Sequence, residues 1–356
     1  MTVAFTHRVG AVVIGRNEGE RLIRCLCSLV GRVEHVVYVD SGSTDDSVQA
    51  AKSLGVSTVT LDLSQPFTAA RARNRGVAEL RSMGVQPDFV QFVDGDCEVD
   101  ENWIGRGVAA LEADPRVAVV CGRRRERFPE ASKYNRLCDL EWDTPPGEVR
   151  SCGGDAMMRL GAFDEVGGYD STLIAGEEPE LCVRLRRAEW RILRLDAEMT
   201  LHDAAMTRFG QWWRRSVRAG HAYAEGAWMH GRSPQRHNVR EVRSILKWAL
   251  FIPAATAALV WPAGGWGLLL LSLYPLQWWR IFVGQRRRGR TAAQSRLYAT
   301  FTMLGKFAQL RGMVGFAWNR LRGRRMRLIE YKGAAVRSAT ASTNLPAARP
   351  HEVTGS

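Results

Sequence analysis

Two short acidic runs hold the residues most able to do chemistry. Phe89-Val-Gln-Phe-Val-Asp-Gly-Asp96 sets two carboxylates, Asp94 and Asp96, just past an apolar run, and Gly176-Glu-Glu-Pro-Glu-Leu-Cys182 sets further acids ahead of a helix start. A hard divalent cation takes oxygen ligands, can bridge two phosphates, and offsets charge building on a diphosphate leaving group. Gly95 leaves room for such a group to approach. In the second run Pro179 suits the first position of a helix and biases Glu178 towards an extended backbone. Glu178 is thus expected to cap a helix over Leu181 to Arg187, where the positive helix end keeps a general base ionised. Neighbouring side chains diverge, so only one of Glu177 and Glu178 should face a substrate hydroxyl. The bland alternatives are a solvated Asp-x-Asp turn and plain helix capping by acids.

Two further sites carry weaker signals. His202, after a strand over Arg191 to Leu195 and its turn, offers a neutral imidazole as a third metal ligand, or is simply structural. Arg73-Asn74 offers a guanidinium fork to a phosphate, or lies on a solvated helix face.

The elements that must position these residues alternate in periodicity. Val9 to Ile14, Val36 to Val39, Val56 to Leu61 and Phe89 to Val93 read as strands. Between them, Glu18 to Val30 has a helical apolar face, Ser43-Thr-Asp-Asp46 resembles a capping box, and Ala69 to Met83 is helical. Gly55 is the natural stop of the helix that Ser43 opens. Such alternation predicts an α/β fold, with a doubly wound, mostly parallel sheet that binds ligands beyond the carboxyl ends of its strands. Asp40 and Asp94 both fall at those ends. Residues 117–205 are less regular, with Gly153-Gly154-Asp155 and Gly167-Gly168-Tyr169-Asp170 marking tight turns or close backbone approach. A long amphipathic helix is expected over Met206 to Met229.

The charge of +13 is concentrated near the C-terminus. Residues 1–241 carry 32 Lys/Arg against 35 Asp/Glu, whereas residues 242–329 carry 15 Lys/Arg and no acid. That basic segment brackets two apolar stretches, Ile245–Trp261 and Trp266–Val283, with no charge between Lys247 and Arg280 and with Pro262-Ala-Gly-Gly265 dividing them. Each is roughly 26 Å of helix at ~1.5 Å per residue, near the lower limit for crossing a bilayer core. Basic outer flanks, a neutral turn and Trp248, Trp261, Trp266, Trp278 and Trp279 near the ends fit a membrane hairpin with both ends in the cytoplasm. The alternative is a buried helical pair in a soluble domain. Residues 295–327 form a basic amphipathic stretch expected to lie along the membrane surface. A membrane partner is favoured over nucleic acid. The seven cysteines lack Cys-x-x-Cys or zinc spacing and read as reduced thiols. The N-terminus shows no basic-then-apolar leader.

Six runs in order, Val-Val-Ile-Gly-Arg-Asn-Glu (12–18), Val-Asp-Ser-Gly-Ser-Thr-Asp (39–45), Ala-Arg-Asn-Arg-Gly (72–76), Asp-Gly-Asp (94–96), Gly-Gly-Tyr-Asp (167–170) and Gly-Glu-Glu-Pro-Glu-Leu (176–181), resemble the family 2 glycosyltransferases of GT-A fold. The resemblance covers about the first 230 residues. It implies an inverting, metal-dependent enzyme with Mg²⁺ or Mn²⁺ and a nucleotide-sugar donor. On this resemblance Arg16, Asn17, Asp40, Arg73 and Asp94 serve the donor, Asp96 and His202 the metal, and Glu178, with Glu177 beside it, the acceptor's proton. Asp155, Gln211 and Arg214 are expected on the acceptor side. Arg16 stands where an aromatic residue is common, Ser41 where a second Asp is common, and Glu178 where Asp is frequent. Gln211-Trp-Trp-Arg214-Arg215 resembles a degraded Gln-x-x-Arg-Trp element, and Arg215 in place of Trp argues against a polymer-extruding synthase.

The expected organisation is a catalytic domain over 1–232, a linker over 233–243, and a transmembrane or re-entrant hairpin over 244–284. Basic amphipathic surface helices over 285–330 and a disordered tail over 331–356 follow. The expected activity is sugar transfer to a hydroxyl of a lipid-linked saccharide in exopolysaccharide or envelope glycan synthesis, at the cytoplasmic face of the inner membrane. The alternatives are a polyprenyl-phosphate glycosyltransferase and a non-catalytic membrane scaffold.

Overall fold

The computed structural model describes residues 8–62, 64–65 and 67–323; the expected tail over 331–356 lies outside them. Nine strands form one sheet: β1 (Val9–Gly15), β2 (His35–Asp40), β3 (Ser57–Thr60), β4 (Phe89–Asp94), β5 (Cys97–Val99), β6 (Val117–Glu126), β7 (Gly147–Glu148), β8 (Ala156–Arg159) and β9 (Arg191–His202). Their order is β3-β2-β1-β4-β8-β6-β9-β5, with β7 pairing β9. Strands β3, β2, β1 and β4 run parallel, as do β6 and β9. Strand β8 enters antiparallel between β4 and β6. The continuous Val/Ile/Phe runs of β1 and β4 follow from burial on both faces.

Helices α1 (Glu20–Cys27), α2 (Ser47–Ser53), α3 (Ala69–Ser82), α4 (Trp103–Ala113), α5 (Lys133–Trp142) and α6 (Leu160–Glu165) connect the strands. Helix α2 starts later than the capping-box reading placed it, because the Ser43 hydroxyl is bonded to Asp40 instead of capping a helix. Thr68 caps α3, accepting from Arg71 N at 3.1 Å. Gly76 lets α3 pack tightly on β1: a Cβ there would sit 2.2 Å from Val12 Cγ1. Register does the rest. Gly15 lies opposite Asp40 and Ile14 opposite Asp94, so both acids reach the same sheet edge.

Helix α7 (Glu177–Arg187) precedes β9, and α8 (Phe209–His230) follows it. Chain 233–243, expected as a linker, is instead partly helical. Asn238 turns in the left-handed region, and α9 (Val239–Leu246) runs through a π turn (Lys247–Phe251) into α10 (Ile252–Val260). Val239–Val260 is long and apolar enough to cross a membrane. The second apolar stretch divides into a 3₁₀ segment (Trp266–Ser272) and α11 (Leu273–Arg287). Trp248, expected at an interface, is buried against Ile252 and Met303. Trp261 and Trp266 are 91% and 73% exposed.

Helix α12 (Ala292–Leu321) does more than offer an apolar face to its surroundings. It lies against α8, where a Cβ at Gly220 would sit 2.0 Å from Gln309 O, and one at Gly312 2.0 Å from Val217 O. Phe301 packs edge-on to Trp212 at 4.8 Å within a second core with Tyr134 and Leu137. Leu304, Phe307, Val314 and Trp318 remain exposed on its other side.

Candidate active site

A cavity of about 900 Å³ opens at the carboxyl edge of β1 and β4. Its lining includes Arg16 and Asn17 after β1, Asp94-Gly95-Asp96 after β4, and Glu177-Glu178 at the start of α7; α8 and α12 contribute a further wall. Both acidic runs therefore meet in one space.

The acids are held by arginines. Arg73, on α3 and 2% exposed, gives Nη2 to Asp94 Oδ1 and Nη1 to Glu177 Oε1, each at 2.8 Å. Its fork is committed to these two carboxylates, which corrects the expectation of an arginine aimed at phosphate. Asp155 is fully buried: it receives Arg124 Nη2 at 2.6 Å, Thr200 Oγ1 at 2.8 Å and Asp94 N at 2.9 Å. That corrects its expected contact with an acceptor; Asp155 fixes the end of β4 instead. Gly154 permits this crowding, since a Cβ there would lie 2.9 Å from Arg73 Nη2 and from Asp94 Oδ2.

Glu178 was expected to cap α7 from outside. It lies within the helix, because Gly176 takes the left-handed conformation (φ 80°) and starts α7 at Glu177. Its carboxyl was also expected to stay ionised at the helix end. Burial, reinforced by the charge of Glu177, instead pushes its pKa up to about 7, with Arg73 pulling the other way. A carboxyl poised there suits a general base at neutral pH. Of the adjacent pair, Glu177 turns to Arg73, leaving Glu178 to the cavity.

Asp96 lines the cavity, and buried His202 stands behind it. His202 is the last residue of β9, not a residue past its turn, and lies opposite Cys97 on β5. Its Nε2 is 3.3 Å from Asp96 Oδ2, and its Nδ1 is 3.5 Å from Glu126 Oε2. With the proton on Nδ1 facing Glu126, the Nε2 lone pair points at a carboxylate, an arrangement a cation between them would relieve. A carboxylate oxygen and an imidazole nitrogen fit Mg²⁺ or Mn²⁺. Cys97 completes a metal-sized cluster with them. Burial, then the charge of Asp155, pushes its thiol well above the usual range, so it offers no thiolate.

Glu126 went unnoticed in the sequence. It is 4% exposed and accepts from Phe128 N, Asn135 Nδ2 and Ala204 N at 3.1–3.2 Å. The signal was available: one acid ends the Arg-rich run of a strand that is otherwise apolar at its start.

Of the residues expected at a donor, Arg16 stacks over Phe67 at 4.8 Å and gives Nε to Gly42 O. Asn17, at φ 55°, spends Oδ1 on Thr44 N at 2.7 Å. Asp40 is 2% exposed and is used within its own loop by Tyr38, Gly42 and Ser43, so it shapes the site without lining it. Two acceptor expectations are corrected. Gln211 caps α8, accepting from Thr207 N and Arg208 N at 2.9 Å. Arg214 is exposed outside the cavity, and Arg215, one residue on, lines it.

Residues 11–166 match the family model Glycosyl transferase family 2. The chain is 30% identical over 244 residues to the Pre-mycofactocin glycosyltransferase of Mycobacterium tuberculosis, across 63% of this chain and 49% of that protein. It is 30% identical over 173 residues to the Succinoglycan biosynthesis protein ExoA of Rhizobium meliloti, across 45% and 51%. It thus spans about half the length of these curated relatives. Among solved structures it is similar to the mannosyltransferase PcManGT from Pyrobaculum calidifontis in complex with GDP-Man and Mn²⁺ (TM-score 0.60, 18% identity, 89% of each chain), a likeness of fold.

Proposed function

We propose that this chain is a family 2 glycosyltransferase, in keeping with its family match and GT-A-like fold, and that it moves one sugar, with inversion, from a nucleotide-diphosphate sugar to a hydroxyl of a lipid-linked saccharide. The observation that carries this is the convergence of Asp94, Asp96 and Glu178 on one cavity. Asp96 and His202 would hold Mg²⁺ or Mn²⁺, which supplies positive charge to a diphosphate. Arg16 and Asn17 border the space for the base and ribose, and the Arg16 guanidinium offers a flat face for stacking. Glu178 accepts the acceptor hydroxyl's proton as that oxygen bonds to the anomeric carbon. The bond from that carbon to the phosphate oxygen breaks, and its electron pair leaves with the nucleoside diphosphate. Arg73 keeps Glu177 and Asp94 in place during this exchange.

A membrane location supports a lipid-linked acceptor. Val239–Val260 can span, its N-terminal turns carry Arg240 and Arg243, and Trp261 and Trp266 stand exposed beside its other end. Basic flanks favour the cytoplasmic side for the catalytic domain. Exopolysaccharide or envelope glycan assembly is the role such an enzyme fills.

The full chain in detergent, assayed against UDP-, GDP- and dTDP-sugars with and without Mn²⁺, tests the reading. Metal-dependent transfer from one of them is expected. No transfer, together with no metal-dependent binding of any nucleoside diphosphate, would leave a non-catalytic scaffold.

A further inference from the structure

The cavity wall built by α8 and α12 carries three cations, Arg215, Arg218 and Lys306. Arg215 is paired, its Nη1 2.7 Å from Glu141 Oε2. Arg218 and Lys306 have no hydrogen bond or ion pair among the described residues. Cations drawn out of water are ordinarily paired. Lys306 bears that cost visibly: burial pulls its pKa below the usual lysine range, and the charge of Glu241 offsets this only in part. Two part-buried cations facing one cavity are the electrostatic complement of a phosphate or diphosphate.

We propose that Arg218 and Lys306 bind the phosphate or diphosphate group of a lipid-linked acceptor, at a site separate from that of the donor diphosphate. Their placement separates the two. A Cβ at Gly176, next to the Glu177-Glu178 pair, would lie 3.1 Å from Ala222 Cβ, so Ala222 abuts the base segment. Arg218 is four residues before Ala222 and shares its helix face, about 6 Å along the axis. It therefore stands on the base side of the cavity, where an acceptor must arrive. The donor side has its own charge arrangement at Asp96 and His202. Lys306 also marks a boundary. Its neighbours Leu304 and Phe307 on α12 are 42% and 39% exposed, so a hydrocarbon chain leaving a phosphate at Lys306 meets an apolar surface within one turn. This assignment deepens the proposed function and rests on it for the identity of the acceptor.

Geranylgeranyl diphosphate, titrated into the full chain in detergent with EDTA present, probes the site without catalysis or metal. Geranylgeraniol serves as the uncharged control, and GDP or UDP with Mn²⁺ reports the donor site and the fold. Binding of the diphosphate should weaken about tenfold or more for each of Arg218→Gln and Lys306→Met. Arg218→Lys and Lys306→Arg should retain most of it. Binding of the alcohol and of the nucleoside diphosphate should not change. Equal diphosphate binding by wild type and the double variant R218Q/K306M would overturn the proposal. So would parallel loss of nucleoside diphosphate binding with intact melting behaviour, since the cations would then serve the donor. Cation-dependent capture of the prenyl diphosphate without any glycosyl transfer would leave this site standing and refute the proposed activity.

Discussion

Asp94 and Glu177 share a single guanidinium: Arg73 lies between them, 2.8 Å from each carboxylate, almost wholly shielded from solvent. One residue is at the end of β4 and the other begins α7, so this contact ties the Asp94–Asp96 turn to the helix that carries Glu178. Glu178 inherits its position from a neighbour that cannot move.

Arg73→Lys should not restore the tie, because an ammonium cannot span two carboxylates with a planar fork. Breaking a buried ion network of this kind costs about 3–5 kcal/mol. Urea unfolding should register a loss of that order for Arg73→Ala, and transfer should fall at least as far for Arg73→Lys as its stability loss permits. A lysine variant with full activity and unchanged unfolding would sink the argument.

Transfer should rise with pH through the neutral range. In the proposed role of base Glu178 must be ionised, and burial above all raises its pKa to about 7. Below that value kcat/KM should fall about tenfold per pH unit, and above it reach a plateau. Bound metal adds positive charge and shifts this limb to lower pH. Glu178→Gln should remove the limb and lower turnover by about 10²–10⁴. Full transfer to a bare lipid phosphate by that variant would instead identify phosphate as the nucleophile.

The same shift has the opposite sign for stability. A carboxyl whose folded pKa exceeds its unfolded value favours the native state while protonated. Its contribution is present below about pH 4.5 and is lost as pH rises through about 7. Glu178→Gln should therefore flatten part of the decline in stability between those values, read from melting temperature against pH without metal.

Glu126→Gln should weaken Mn²⁺ binding about 10–100-fold, as removal of a histidine's supporting carboxylate does. Isothermal titration of Mn²⁺ in the presence of GDP or UDP reads this. His202→Ala should lose more. If Glu126→Gln left the affinity untouched, the imidazole would be oriented by other means, such as the Trp142 ring 4.8 Å from it.

Gly76→Ala should destabilise the domain by about 1–3 kcal/mol through overpacking against Val12. Because α3 also carries Arg73, transfer should fall with it. Gly161, with no atom near its would-be Cβ, is the control and should tolerate alanine.

The parallel half of the sheet was legible because burial on both faces writes long apolar runs, and the turn residues mark their ends. The positions of Asp94 and Asp96 followed directly from the end of β4. Asp155 did not, because nothing local to Gly153-Gly154-Asp155 reveals that Arg124 of β6 arrives beside it. Glu126 and His202 are neighbours only through the parallel pairing of β6 with β9, a contact between distant segments that no periodicity encodes. Helix α12 was read as a surface element since an apolar stripe looks the same whether it meets lipid or protein. The glycines at 220 and 312, where two backbones touch, were the clue. Glu178 was placed outside its helix because Pro179 prefers the first turn, whereas Gly176 supplied the left-handed bend that let the helix begin earlier.

At the crossing of α8 with α12, carbonyl oxygens stand where any Cβ on Gly220 or Gly312 would have to be. Two α-hydrogens thus gauge how closely the two helices of this one wall can lie together. Even the smallest extra methyl would push α12, and Lys306 with it, away from α8, so the shape of that wall is set by what those two positions lack.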